Sequence, residues 1–245
     1  MTKRFFITGT DTDIGKTLAT CALLQAAKRA GWRAAGYKPV AAGCRQTADG
    51  ARNDDALALL ADSGISLPYA QVNPLALLAA TSPHLACRDE GRTLDPAVMS
   101  QGLDRLVRQA QWVFVEGAGG WYTPLGDTLT FDQWVAAERL PVILVVGLKL
   151  GCINHALLTA LAIRQCGLPL AGWIANDLSP APHRRADYLA TLCQRLDAPL
   201  LGEIPWLADP GTAALADYID LGPLLARHGA QGDVSGTDGN GEGRR

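Results

Sequence analysis

Short apolar runs alternate along the chain with longer stretches in which apolar residues recur every three to four positions. The runs cover 4–8, 33–40, 112–116, 142–147, 170–176 and 200–204. Their near-continuous apolar character predicts strands buried on both faces, not alternating half-exposed ones. Between them, the pattern predicts helices. The first, 16–30, carries Leu18, Cys21, Ala22 and Leu24 at helical spacing and stops at Gly31. Others are expected over 54–61, over 95–110, where Asp95-Pro96 supplies a cap and a first-turn proline, over 154–166 before Gly167, and over 183–196. Strand–helix alternation of this kind predicts an α/β fold: a doubly wound, mostly parallel sheet with helices on both faces.

Composition narrows the picture. The chain has 245 residues, 48% hydrophobic and 19% charged, which suits one large domain. That domain is expected to span 1–228. From 229 to 245 the sequence is rich in glycine and polar residues and is expected to be a disordered tail. The formal net charge is -2 with both signs interspersed, so neither nucleic acid nor membrane is expected as a partner. Small molecules fit better. Phe5-Phe6-Ile7 is too short for a signal segment or a span, which points to a cytoplasmic protein. The six cysteines (Cys21, Cys44, Cys87, Cys152, Cys166, Cys193) form no C-x-x-C pair and read as buried reduced thiols, with no zinc site.

The first strand runs into Gly9-Thr10-Asp11-Thr12-Asp13-Ile14-Gly15-Lys16-Thr17, which opens the first helix. A polyphosphate needs surrounding amides, a mobile cation and a hydroxyl for its metal. Asp13, Ile14 and Gly15 would offer amides, Lys16 the cation, and Thr17 a ligand for Mg²⁺. The helix dipole adds ~0.3–2 kcal/mol for an anion at this end. The general pattern wants glycine at position 10, yet Thr10 stands there with Gly9 one place earlier. Strand, G-K-T and helix still coincide, so ATP binding with a phosphate-loop NTPase type of sheet is the expectation.

Further chemistry lies at other strand ends. Glu116 closes an apolar strand and is followed by Gly117-Ala118-Gly119-Gly120, the place where phosphate-loop enzymes keep a metal-side acid. Asp55 is a second candidate carboxylate, although spacing alone leaves the choice between it and Asp54 open. Lys38 reads either as a surface cation or as a stabiliser of transferred phosphate. Pro39 biases it towards extended geometry, and the lysine's place at the C-terminal end of a strand beside the phosphate loop's strand favours the second. The turn Gly151-Cys152-Ile153-Asn154 precedes a helix and offers free amides to a second anion. His155 reads as a residue packed at that helix start.

Together these segments resemble the dethiobiotin synthetase family from Phe5 to about Leu225. Besides the phosphate loop, the resemblance is carried by Gly36-Tyr37-Lys38-Pro39-Val40, Arg52-Asn53-Asp54-Asp55, Thr81-Ser82-Pro83-His84 and Val115-Glu116-Gly117-Ala118-Gly119-Gly120. Lys149 to His155, Gly172 to Asp177 and Gly202 to Leu207 complete it. It implies a ligase that uses ATP, Mg²⁺ and CO₂ to close a cyclic urea on 7,8-diaminononanoate, through a carbamate and a carbamic–phosphoric anhydride. On matching positions, Thr17, Asp55 and Glu116 would hold Mg²⁺, and Lys16 and Lys38 would stabilise phosphates and carbamate. Gly117, Ala118, Gly119, Asn176, Asp177, Pro205, Trp206 and Leu207 would meet the nucleotide. Thr12, Ala42, Gly151, Cys152, Ile153 and Asn154 would face the substrate, with Tyr188 helping across a homodimer interface. Ala42 departs from the serine common in the family, and Ala208-Asp209-Pro210-Gly211 aligns too poorly to name a ribose acid. A partition-type switch ATPase shares the loop architecture. Those proteins carry an early loop lysine, where this chain has Asp11 and Thr12.

Overall fold

The computed structural model describes residues 2–181 and 183–229. Positions 230–245 of the expected tail lie outside the described residues. Strand β1 (Lys3–Gly9) leads through the phosphate loop into α1 (Lys16–Arg29) and returns as β2 (Ala34–Tyr37). An excursion follows: β3 (Val40–Ala41), the antiparallel pair β4 (Arg45–Thr47) and β5 (Gly50–Arg52), α2 (Asp54–Asp62), α3 (Tyr69–Val72), β6 (Leu75–Ala76), α4 (Pro83–Asp89) and α5 (Pro96–Val107). The chain then alternates through β7 (Trp112–Glu116), α6 (Phe131–Ala137), β8 (Val142–Leu148), α7 (Cys152–Gln165), β9 (Leu170–Asp177), α8 (Arg185–Arg195) and β10 (Leu200–Ile204), with α9 (Gly222–Gly229) last.

Six strands form one parallel sheet in the order β10-β9-β8-β1-β7-β2. Every residue of β7, β8 and β9 is buried, as continuous apolar runs require when both faces are covered. β1 is flanked by β7 and β8, so the winding changes direction beside it. In such sheets the crevice for ligands opens at the strands' C-terminal ends, at this switch point. No helix among the described residues is long and apolar enough to cross a membrane.

Some expectations need correction. The single strand over 33–40 is two strands, β2 and β3. Pro39 has no N–H to continue a ladder, and the Lys38 amide donates to the Val72 carbonyl at 2.8 Å instead. The helix expected from Asn154 already starts at Cys152, the one expected over 95–110 ends at Val107, and the one over 183–196 spans only Arg185–Arg195. The short helices α3, α4 and α6, of 4, 7 and 7 residues, were not anticipated, because so few residues carry too little helical period to read. The cap at Asp95 is as expected: its carboxylate accepts from the Ala97 amide at 2.8 Å, with Pro96 in the first turn.

Candidate active site

The phosphate loop bridges β1 and α1, and its geometry explains the displaced glycine. A Cβ at Gly9 would come within 2.8 Å of Ile14 Cδ1 and 3.1 Å of the Asp11 carbonyl oxygen, so glycine avoids crowding there. Thr10 instead donates its amide to the Val145 carbonyl of β8 at 3.1 Å and tolerates a side chain. Gly15 sits at φ 87° as the residue before α1, and a Cβ on it would lie 2.2 Å from Asn176 Nδ2. Asn176 braces the loop from beneath by donating that nitrogen to the Ile14 carbonyl at 2.9 Å. Asp13 also has a left-handed backbone, φ 56°, the kind of local strain that clusters at ligand sites. Lys16 is buried, with Nζ donating to the Asp11 carbonyl at 3.0 Å. Asp11 accepts from the Thr12 amide at 2.8 Å and pairs with Lys149 at 2.9 Å. Its carboxyl is held below the usual range by Lys149 first and the Thr12 amide second.

Beside the loop lies a charged cluster drawn from four elements. Lys38, just beyond β2, places Nζ 2.6 Å from Glu116 Oε1 and 2.8 Å from Asp55 Oδ2. Thr17, in the first turn of α1, donates its hydroxyl to the same Glu116 oxygen at 2.9 Å. Glu116 is fully buried, and its second oxygen, Oε2, has no hydrogen-bond partner. Lys38 is 4% exposed, which excludes the surface-cation reading. Burial pushes the Lys38 ammonium towards neutrality, but Glu116 and Asp55 outweigh it and hold the pKa above its ordinary value. For Asp55, burial opposes ionisation, yet Lys38 and the Thr17 hydroxyl bring the carboxyl below its usual range. Lys16 is shifted down, by burial first and by Lys38 second. Asp54 is exposed and paired with Arg45, so the open choice between neighbouring acids falls to Asp55. Thr17, Asp55 and Glu116 form an all-oxygen set of the type hard divalent ions take, and the buried Oε2, without a hydrogen-bond partner, fits a ligand oxygen for such an ion.

A cavity of about 880 Å³ opens over this cluster. Thr12, Asp13, Gly15, Lys16 and Thr17 form one side, with Lys38 and Asp55 at its base. Ala118, Gly119 and Gly120 close another side. The remaining wall is Ala42-Gly43 against Ala80 to Pro83. These two segments are joined by backbone hydrogen bonds, Gly43 N to Ala79 O and Leu77 N to Ala41 O, both 2.9 Å. Ala42 therefore does face the cavity, with a methyl group. Four polar lining residues carry no role read from the sequence: Asn53, Thr81, Ser82 and Thr123. Thr81-Ser82 and Asn53 appear in the sequence only as parts of family motifs, and in the structure Asn53 also caps α2, accepting from the Ala56 amide at 3.1 Å. For Thr123 the sequence holds no signal.

Other candidates lie along the same edge but outside the cavity lining. Gly151 (φ 95°) precedes α7 and is exposed, as is Asn154, while Cys152 is buried and Ile153 partly so. His155 is exposed, so the packing role expected for it does not hold: the helix start turns that side chain outward. The Lys149–Asp11 pair ties this turn to the phosphate loop. Tyr188 is half-buried on α8. Asp177, expected at the nucleotide, has its carboxylate engaged by Arg185 at 2.8 and 2.9 Å, and Arg185 also reaches Glu203 at 3.0 Å. Pro205 and Leu207 are partly buried and Trp206 is exposed beyond β10. Of the cysteines, four are buried, Cys166 is half-buried and Cys193 is exposed; all are free thiols.

Comparison with known proteins bears on this site. A family model described as an AAA domain matches residues 3–213. ATP-dependent dethiobiotin synthetase BioD 1 of Salmonella typhi is 61% identical over 225 residues, 91% of this chain and 99% of that protein. The protein of the same name in Escherichia coli (strain K12) is 60% identical, covering 91% and 100%. ATP-dependent dethiobiotin synthetase BioD of Yersinia pestis bv. Antiqua (strain Angola) is 59% identical, covering 92% and 97%. Among solved structures, the septum site-determining protein MinD from Pyrococcus horikoshii, complexed with Mg-ADP, superposes with a TM-score of 0.54 at 18% identity over 94% and 92% of the two chains. A ParA family ATPase from Chlorobium tepidum gives 0.52 at 14% identity over 92% and 93%. At those identities the structural likeness speaks for the fold alone.

Proposed function

The chain belongs to the dethiobiotin synthetase family, and from that premise we propose that its buried cluster and phosphate loop form one ATP-dependent ring-closing site. The enzyme is an ATP-dependent ligase that closes the ureido ring of dethiobiotin in biotin biosynthesis. The observation that carries the site assignment is the convergence of Lys16, Lys38, Thr17, Asp55 and Glu116 in or directly beneath a single cavity.

One amine of 7,8-diaminononanoate takes up CO₂ as a carbamate. A carbamate oxygen attacks the γ-phosphorus of ATP, forming an O–P bond as the bond to ADP breaks. The second amine then attacks the carbonyl carbon, a C–N bond forms, and phosphate departs with the carbonyl–oxygen bond. The first transfer joins two anions, so the site must neutralise charge where it develops. The cluster's two ammonium groups and two carboxylates cancel one another, so the side chains alone supply no surplus. Thr17, Asp55 and Glu116 would hold Mg²⁺, which would supply the missing positive charge during phosphoryl transfer. Lys16, short of carboxylate partners, is free to follow the phosphate being transferred. Lys38 lies where it reaches both the cluster and the cavity. Thr12, Ala42 and the Thr81-Ser82 wall border the space left for the diamine, and Asn176 with Pro205 to Leu207 lies towards the purine.

A homodimer fits the remaining surface. Leu150, Leu158 and Leu161 are 87%, 56% and 46% exposed in and after the Gly151 turn, an apolar face suited to a second copy. That copy would bring its Tyr188 to the turn that receives the substrate's distal carboxylate. ATP use and predominantly buried free thiols favour the cytoplasm.

The test is phosphate release and dethiobiotin formation by the purified protein with ATP and Mg²⁺, with and without diaminononanoate and bicarbonate. Both products should form together and only when both co-substrates are present. Phosphate release indifferent to them would instead mark a switch-type ATPase.

A further inference from the structure

The two carboxylates assigned to the divalent ion already share a cation. Glu116 Oε1 receives Lys38 Nζ at 2.6 Å and the Thr17 hydroxyl at 2.9 Å, and Asp55 Oδ2 receives the same ammonium at 2.8 Å. The Gly117 carbonyl lies 3.4 Å from it on the third side. Mg²⁺ needs near-octahedral oxygens at roughly 2.0–2.1 Å. Two donors already occupy Glu116 Oε1, which leaves only Oε2 unpartnered, and an ammonium between the two carboxylates repels a dication approaching either oxygen. We propose that Lys38 is a resident counter-cation that closes the divalent-ion site of the nucleotide-free enzyme, so that the ion enters only together with a nucleotide.

Both states of this exchange are balanced. Without nucleotide, the buried Glu116 carboxylate needs a positive partner, because an uncompensated buried charge is strongly destabilising. Lys38 is that partner. When nucleotide and ion arrive, the ion takes over Glu116 and Asp55, and the displaced ammonium needs an anion of its own. Its side chain also lines the cavity beside Lys16, so the incoming phosphates supply one within reach. A lysine is suited to the exchange: its compact charge on a flexible stem turns between partners without a fixed fork geometry. The loading step and the phosphate contact thus become one event. This rests on the metal-dependent reading above, but its readout is ion binding without turnover, so its failure would leave the ring-closing assignment standing.

The test is Mn²⁺ titration of the full chain without nucleotide, read by the paramagnetic signal of the free ion and by thermal melting. Wild-type protein should leave the free-ion signal and the melting temperature unchanged at millimolar Mn²⁺. Lys38→Met and Lys38→Gln, checked for folding by circular dichroism, should each bind a single Mn²⁺ at least about tenfold more tightly than wild type, since the competing charge is gone. Adding Asp55→Asn to Lys38→Gln should abolish the gain. Tight Mn²⁺ binding by the wild-type protein alone would overturn the proposal even if neither variant folds. Variants that fold and bind no more tightly than wild type would overturn it equally.

Discussion

Lys38 and Lys16 are both buried lysines a short distance apart, and their surroundings push them in opposite directions. Lys38 has two carboxylates against it and keeps its proton more firmly than a free lysine; Lys16 has burial and the Lys38 charge against it and holds its proton less firmly. Replacing Lys38 with alanine should lower turnover on the order of 100-fold, the loss of one donor to the transferring phosphoryl group, while ATP still binds through the loop. Steady-state kinetics with a separate nucleotide-binding assay decides this, and unchanged turnover would remove Lys38 from the reaction. Asp55 makes a prediction about pH. Its folded-state pKa lies below the ordinary carboxylate value, so its contribution to stability is complete above that value and is lost as the pH falls through the depressed folded one. Acid unfolding of Asp55→Asn should therefore be less steep over that acidic range than that of wild type, with no difference in pH dependence near neutrality. What the sequence left open at this scale was the pair Asp54 and Asp55. Both fall in the first turn of α2, and only the direction of each side chain, one to Arg45 and one to Lys38, separates them.

Elements with a long, unmixed signal were legible: the buried strands declared themselves by continuous apolar runs, and α1, α5 and α7 by period and capping. Short elements were not, and this had consequences for the site, because α4 and the β3–β6 pair build the cavity wall that carries Thr81 and Ser82. The strand-to-helix junction after β1 shows the opposite case, in which a departure from a general pattern had a local cause. Ile14 and the Asp11 carbonyl crowd a Cβ at position 9, while Thr10 needs none of the freedom glycine offers. Gly15 tests that junction. Gly15→Ala meets a left-handed backbone at φ 87° and an Asn176 amide 2.2 Å from the new methyl, whereas Gly31→Ala, at φ 81° beyond α1, meets nothing within 4 Å. Both should lose about 1–2 kcal/mol to backbone strain in denaturant unfolding. Only Gly15→Ala should also lose ATP binding, because the loop must shift off Asn176. Equal nucleotide affinity in the two variants would show that the brace is dispensable.

At the scale of the whole molecule, the strand order lays out the residues of the proposed site across one edge of the sheet. From one side to the other stand Lys38 after β2, Glu116 at the end of β7, the phosphate loop after β1, the Gly151 turn after β8 and Asn176 near the end of β9. Sequence supplied these residues as separate strand ends. It held no information on their order, because β1 pairs with β7 and β8, strands more than a hundred residues away. The same layout leaves the Gly151 turn at the molecular surface with an apolar helix face behind it, and this makes the quaternary state testable through chemistry. Leu158 and Leu161 lie three residues apart on α7 and are both largely exposed, so they share one face. Leu158→Glu should cost a single chain almost nothing, since the residue already meets solvent there, but it would bury a charge in a two-fold interface. The expected outcome is a monomer by sedimentation with a native circular dichroism spectrum. On the proposed dimer, KM for diaminononanoate should rise, because the second copy's Tyr188 would be lost from the turn, while KM for ATP stays near its wild-type value. A Leu158→Glu protein that remains dimeric, or a monomer with an unchanged diamine KM, would separate this face from the substrate site.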